Sequence, residues 1–287
     1  METFNQFLNK QHSPKTVRTY LYYVDAFLVR FPNALELQYL DIINYINEKQ
    51  TQYKGSTSVT VILMSVKRYY DYLFYVGKRD DHPCQRLNLK QQGRVGIQFQ
   101  DLFSTAELRT LMNRENRFAA LDLKNKATIS LLICQGLTIA ELVNLNAEDI
   151  DLDLCTIYIR KSYRTERRTL ELENTQVRLI EKYLTECRPK LNKNNSQKLL
   201  INIRGAKETI EGVQGMLKPL QALFPDRSLN ALTIRQSVIA NWLNEKKLPL
   251  EDVQILAGHR WPSSTERYIR LDLSEQRKLI NKFHPLK

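Results

Sequence analysis

Cysteine, glycine and proline are all scarce, at four, nine and nine among 287 residues. So few glycines and prolines exclude collagen-like repeats and low-complexity disorder, and 43% hydrophobic residues give material for a folded core. Cys84, Cys134, Cys155 and Cys187 show no Cys-x-x-Cys spacing, which excludes a disulfide framework and a zinc knuckle and predicts free thiols in a reducing compartment. His12, His82, His259 and His284 stand too far apart to share a helical turn, so no catalytic metal and no cofactor is expected. Long apolar runs are missing too. The stretch Ile129 to Cys134 falls far short of the roughly 20 residues of a membrane span, and no charged-then-apolar leader opens the chain. A cytoplasmic protein with no membrane partner is expected. Acidic residues are outnumbered 31 to 43 by Lys and Arg, a net +12 spread along the chain. Such an excess suits a polyanionic partner, nucleic acid above all.

What is present is helical periodicity. At 287 residues the chain has room for two cores. Residues 1–78 read as a helical bundle: Glu2 to Lys10, then Pro14 to Arg30 behind a Ser13 cap, then Leu40 to Ile46, then Ser56 to Tyr75. Val17, Tyr20, Leu21, Val24, Phe27 and Leu28 recur at three and four, as do Val59, Ile62, Leu63, Val66, Tyr69, Tyr70, Leu73 and Phe74. Lys67 and Arg68 interleave with Tyr72 and Tyr75, a pattern that serves either phosphate contact or a solvated face over a tyrosine-rich core. Residues 79–100 lose the pattern and read as an extended linker. In 101–287, Ser104 and Glu107 open a helix as a capping box. Further helices are expected at 123–135, 138–145 and 174–190, with a small hairpin from Thr156 to Arg160 and Thr169 to Leu172. The fold class is therefore mainly α, with a mixed second domain.

The C-terminal third carries the chemistry. Asn230 to Lys246 predicts a helix whose apolar face, Leu232, Val238, Ile239, Trp242 and Leu243, also includes Arg235. A guanidinium there needs a partner, either an acidic side chain or a bound phosphate. Pro249 to Ala257 predicts a helix ended by Gly258, and His259 follows. Ser263 to Glu266 reads as a second capping box, opening a helix that contains Tyr268, nine residues after His259.

Taken together, Leu256-Ala257-Gly258-His259 followed by Ser264-Thr265-Glu266-Arg267-Tyr268-Ile269 resembles the closing signature of the tyrosine recombinases of the phage-integrase and Xer type. Arg235, 24 residues before His259, falls where that family has the arginine of its His-x-x-Arg motif. Gly136-Leu137-Thr138-Ile139-Ala140-Glu141-Leu142 resembles its Gly-Leu-Arg-x-Ser-Glu-Leu segment, and Asp149-Ile150-Asp151 with the hairpin follows in the family order. Ser13-Pro14-Lys15-Thr16 with Tyr20 resembles the start of its core-binding domain. The resemblance implies a four-helix SAM-like DNA-binding domain, with Lys15, Arg18, Lys67 and Arg68 toward DNA, and a catalytic domain with a C-terminal helix, the two closing as a clamp on duplex DNA. It further implies a monomer in solution and a homotetramer on synapsed sites. By the same resemblance Tyr268 is the nucleophile that forms a 3′-phosphotyrosyl link, Arg235 and His259 are donors to the phosphate, and Lys161 protonates the leaving 5′-oxygen.

Two positions depart from the family pattern. Thr138 stands in the place of the first catalytic arginine, and Leu232 in the place of the histidine of His-x-x-Arg. An arginine of the hairpin, Arg160, Arg164, Arg167 or Arg168, is the candidate replacement, the plainer reading of each being contact with the DNA backbone. The expected function is site-specific recombination or integration of DNA. The alternative is a catalytically impaired DNA-binding accessory protein on the same scaffold. A basic RNA-binding protein would share the charge but leave the spacing of Arg235, His259 and Tyr268 unexplained.

Overall fold

Ser13 accepts the Thr16 amide and Pro14 takes the first helical position, so the second helix begins where its sequence dictates. The computed structural model describes residues 2–53, 56–89, 96–113 and 119–270. The expected C-terminal helix, Ser274 to Phe283 with Leu279, Ile280 and Phe283, lies outside the described residues. The chain divides into two compact units, 1–95 and 96–287.

The first unit holds α1 (Phe4–Asn9), α2 (Pro14–Arg30), α3 (Tyr39–Gln52) and α4 (Ser56–Tyr75). α2 and α4 bury most of the stripes their periodicity predicts: Val17, Val24 and Phe27 on one, with Tyr20, Leu21 and Leu28 partly buried, and Val59, Ile62, Leu63, Val66, Tyr70 and Leu73 on the other, where Phe74, expected on the same stripe, is 57% exposed in the last turn. Phe27 and Tyr45 meet edge to face at 5.2 Å, and the buried Tyr70 hydroxyl donates to the Ala34 carbonyl at 2.8 Å, so the ring enters the core with its polar end satisfied.

Residues 79–89, expected as extended linker, pack on this unit instead. Arg79 Nη1 donates to the Leu35 and Leu37 carbonyls, each at 2.8 Å, and Cys84 is fully buried among the helices. Lys67 Nζ donates to the Gln85 carbonyl at 2.9 Å, and Arg68 pairs with Asp71 at 2.9 Å. Both cations expected to face DNA are thus engaged within the chain, whereas Lys15 and Arg18 are exposed on α2.

The second unit is mixed. α5 (Thr105–Thr110) starts at the Ser104–Glu107 capping box, and α6 (Ala119–Cys134) and α7 (Ile139–Asn144) follow. The sheet has three strands, one more than the hairpin expected: β1 (Ile150–Asp151), β2 (Thr156–Ile159) and β3 (Arg168–Glu171), antiparallel in that order. Ile159 pairs with Arg168 and Ile157 with Leu170. Because side chains alternate across a strand, Arg168 lies on the buried face with Leu170, Ile157 and Ile159.

The single helix expected over 174–190 is interrupted. α8 (Asn174–Lys182) passes through a π turn at Tyr183–Cys187 into α9 (Arg188–Leu191). Pro189 lacks an amide proton, so the regular ladder cannot run through it. α10 (Ile210–Leu217), α11 (Ala231–Asn244), α12 (Leu250–Ala257) and α13 (Ser263–Glu266) complete the unit.

α11 buries Arg235 with Val238, Ile239 and Trp242 as expected, but Leu232 is 64% exposed and Ile234 takes the buried place. α12 ends at Gly258 with φ +66°. The capping box expected at Ser263 is not formed: Pro262 is itself helical, so Ser263 sits inside the helix with no amide left for it to cap. α13 is four residues long, and Tyr268 lies in the turn beyond it rather than on a helix.

Candidate active site

Four residues converge on the Glu141 carboxylate. Thr138, the N-cap of α7, donates to Oε2 through its amide at 2.8 Å and its hydroxyl at 2.9 Å. Thr165, in the loop between β2 and β3, donates to Oε1 at 2.7 Å, and Arg168 Nη1 donates to the same oxygen at 2.7 Å. Arg235 Nη1 approaches Oε2 at 3.9 Å. Burial works against the charge on Glu141, yet Arg168 and the Thr138 and Thr165 donors prevail and hold its pKa down at about 2.

Arg235 takes its hydrogen bonds from backbone rather than from an acid. Nη1 donates to the Gly136 carbonyl at 2.5 Å and Nη2 to the Ala257 carbonyl at 2.6 Å. Gly136 has φ +58°, and a Cβ there would stand 3.1 Å from Val238 Cγ1, so glycine lets this carbonyl reach the α11 arginine. Arg168 is only 5% exposed. Its Nε and Nη2 are buried and have no hydrogen-bond partner among the described residues.

His259 sits beside this cluster. Its backbone bridges to Thr165, and Glu166 donates its amide to the Gly258 carbonyl at 2.9 Å, which ties the turn after α12 to the β2–β3 loop. Nδ1 lies 2.9 Å from Thr265 Oγ1. Burial first, and then Arg235 and Arg168, lower the imidazole pKa to about 4. The ring is therefore neutral at pH 7, and when Thr265 donates to Nδ1 the remaining proton is on Nε2.

The Tyr268 ring stacks on His259 with centroids 6.2 Å apart and planes at 19°. Tyr268 is 9% exposed, and burial raises its pKa while Arg235 opposes the rise. Asn244, the last residue of α11, holds the segment: Nδ2 donates to the Tyr268 carbonyl at 2.8 Å and Oδ1 accepts the Arg270 amide at 3.0 Å.

Tyr268, His259, Arg235 and Arg168 are thus brought together. Lys161 is exposed and paired with Glu166 at 2.9 Å, an acid it shares with Arg260 at 3.0 Å. Arg160 turns to the other face of the sheet, to Asp149 at 2.7 Å and Glu148 at 2.9 Å, while Arg164 and Arg167 are exposed. Thr138 and Leu232 line one cavity of about 500 Å³ together with Arg235, Asn230 and Lys218. Sequence reasoning passed over Glu141 as a site residue, and Thr165, Gly136 and Asn244 with it. Only Gly136 and Glu141 carried a signal, as members of a quoted motif.

The phage integrase family model matches residues 102–275, and the phage integrase N-terminal SAM-like domain model matches residues 2–76. The tyrosine recombinase XerD of Listeria monocytogenes serotype 4b (strain F2365) is 27% identical over 257 residues, covering 88% of this chain and 84% of the relative. The tyrosine recombinase XerC of Pelotomaculum thermopropionicum is 26% identical over 297 residues, covering 97% and 94%. Among solved structures, the XerH recombinase on a palindromic difH substrate matches with TM-score 0.71 at 15% identity, over 97% of this chain and 84% of that one. A lambda integrase dimer on a COC′ core site matches with TM-score 0.68 at 13% identity, over 94% and 96%. With family models covering both units, and a tyrosine, a histidine and an arginine gathered in the second, the chain belongs to the phage integrase family, the tyrosine recombinases.

Proposed function

We propose that this recombinase cleaves and rejoins duplex DNA at a specific site through Tyr268. The Tyr268 oxygen attacks the scissile phosphorus, a new P–O bond forms, and the P–O5′ bond breaks, leaving a 3′-phosphotyrosyl link and a free 5′-hydroxyl. Bond energy is kept in the link, so a 5′-hydroxyl from a second strand reverses the step with no outside energy source. The phenolic proton leaves to water, and the neutral His259 imidazole, with its proton on Nε2 when Thr265 donates to Nδ1, gives a hydrogen bond to a phosphate oxygen. Lys161 then gives a proton to the leaving O5′ once DNA frees it from Glu166. Arg235 takes the charge that builds on the non-bridging oxygens.

The observation that carries this reading is the convergence of Tyr268, His259 and Arg235, three segments apart in sequence, in one buried and positively charged site. Thr138 and Leu232 do not serve as donors here. Thr138 is committed to capping α7, and Leu232 has no polar group. The departures leave the nucleophile and its immediate frame intact, which favours an active enzyme over a silent accessory protein. Lys15 and Arg18 on α2 meet the DNA backbone, and Lys67 and Arg68 join them when they exchange internal partners for phosphates. Relatives solved on duplex substrates, XerH on difH and lambda integrase on its core site, support the same substrate class. On paired sites the protomers assemble as a tetramer, and apart from DNA they are monomers.

The test begins by selecting the protein's own site from a random duplex library. Nicked duplexes carrying that site trap the adduct, because the short 5′ fragment diffuses away after cleavage. A denaturant-resistant protein–DNA complex from the native chain, absent in Tyr268→Phe, is expected. Site-specific binding with no complex from either protein would replace this reading with the accessory one.

A further inference from the structure

The guanidinium of Arg168 is buried with two of its three nitrogens unused. Nη1 is held by Glu141 at 2.7 Å, but Nε and Nη2 are shielded from solvent and have no partner among the described residues. An orphaned donor in a protein interior is destabilising, and one on a charged group more so. We infer that Arg168 is the second guanidinium on the scissile phosphate, reaching it from β3 and so filling the role that no arginine at the start of α7 can fill. This rests on the recombinase reading above.

Three independent features support it. The charge count comes first: the groups acting on the His259 and Arg235 charges include two guanidiniums, Arg168 and Arg235, against one carboxylate, Glu141. A buried cluster with one positive charge in excess is completed by an anion. Next is the shape of what remains free. Nε and Nη2 form one edge of the guanidinium, with two parallel N–H bonds that match two phosphate oxygens. Last is how firmly the group is aimed. Thr138 and Thr165 occupy the other positions on Glu141, so the carboxylate cannot turn to satisfy the free edge. Gly258 presses on the other side, where a Cβ would come within 2.5 Å of Nη1.

The other three candidates lack these features. Arg160 is turned toward Asp149 and Glu148, and Arg164 and Arg167 are exposed on the loop and strand edge. Period-two alternation is the reason Arg168 alone of the four faces inward. Since both free nitrogens are covered in the DNA-free chain, seating the phosphate must uncover them.

The experiment compares adduct formation on nicked duplexes whose scissile group is either phosphate or methylphosphonate, which carries one negative charge fewer. On phosphate, Arg168→Ala is expected to slow adduct formation by about 100- to 1,000-fold. On methylphosphonate it should recover at least about tenfold of that loss relative to the native chain, because less charge needs a donor. Tyr268→Phe should recover nothing. Arg168→Lys retains a charge toward Glu141, and so guards against an alanine variant that does not fold. It should show the same shift in the phosphate-to-methylphosphonate rate ratio, in smaller measure.

A folded Arg168→Ala that cleaves phosphate at the native rate overturns the inference. So does a loss that methylphosphonate leaves unchanged in both variants, which would make Arg168 a structural partner of Glu141 only. If the native chain forms no adduct on the selected site with either duplex, the recombinase reading itself fails, and this assignment with it.

Discussion

Glu141 and Arg168 meet at 2.7 Å with side chains only 2% and 1% exposed, although one starts α7 and the other lies on β3. A buried pair of this kind repays its desolvation only while both partners are present, and removing one leaves a stranded charge. Glu141→Gln is therefore expected to lower unfolding free energy by about 3–5 kcal/mol, read from urea denaturation. The glutamine can keep one bond to the Thr138 amide, so the loss should exceed that of Thr138→Ala, which removes a helix cap for about 0.5–2 kcal/mol. Equal losses would mean that the carboxylate acts as a cap and not as the electrostatic centre of the site.

Gly258 carries two constraints, which can be separated. Its φ of +66° strains any other residue, and a Cβ would stand 2.5 Å from Arg168 Nη1 and 3.1 Å from the Glu166 carbonyl. Gly77 has nearly the same φ, +68°, with nothing within 4 Å among the described residues. Gly77→Ala should therefore cost only the backbone strain, about 1 kcal/mol. Gly258→Ala should cost more and also slow adduct formation by displacing Arg168. Matching stability losses with unchanged cleavage in both would refute the contact argument.

The sequence made the helices legible because each reports itself locally: Ser13 and Pro14 start α2, and Gly258 ends α12. It made the frame of the proposed nucleophile legible because Leu256 to His259 and Ser264 to Ile269 keep the family spacing. Arg168 was within reach as well, since Arg168, Leu170 and Leu172 alternate along a strand and so share its inner face. Four arginines nonetheless stood level, because what separates them is the Glu141 carboxylate, 27 residues away along the chain. The α13 boundary failed for a local reason. Ser263 followed by Glu266 fits a capping box, but a preceding proline that is already helical moves the start of the helix back. Likewise, residues 79–89 have the composition of a linker, and it is the Leu35 and Leu37 carbonyls, far upstream, with the Tyr70 ring, that hold Arg79 in place.

The two units contain histidines shifted in opposite directions, which makes a pH test with opposite signs. His259 has its pKa lowered to about 4 by burial and then by Arg235 and Arg168. The unfolded chain, with an ordinary value near 6.5, binds that proton first. Its contribution is thus fully present above about pH 6.5 and is lost as the pH falls toward 4. For His82, burial opposes the charge, but Asp71 and Cys84 more than reverse it and raise the pKa to about 10. That contribution is fully present below about pH 6.5 and is lost as the pH rises toward 10. Imidazole NMR titration of the full chain should find His259 neutral at about pH 5.5 and His82 still charged at about pH 8. A pair of ordinary midpoints near 6.5 would remove both claims.

Asn244 offers the cleanest separation of positioning from binding. It ends α11, the helix that carries Arg235, and its side chain donates to the Tyr268 carbonyl at 2.8 Å and accepts the Arg270 amide at 3.0 Å. The Tyr268 segment is therefore fastened to the helix that carries Arg235, which, on the proposed chemistry, fixes the distance between attacking oxygen and donor. Asn244→Ala frees the segment without touching a charge. A misplacement near 1 Å costs on the order of 100-fold in rate, so adduct formation should fall by about 10- to 100-fold while DNA affinity in a gel-shift titration stays the same. Asn244→Asp keeps an acceptor for the Arg270 amide but sets a carboxylate against the Tyr268 carbonyl, so it should not rescue the rate. If affinity fell and the rate on saturated DNA did not, Asn244 would belong to the DNA-binding surface and not to the placement of Tyr268.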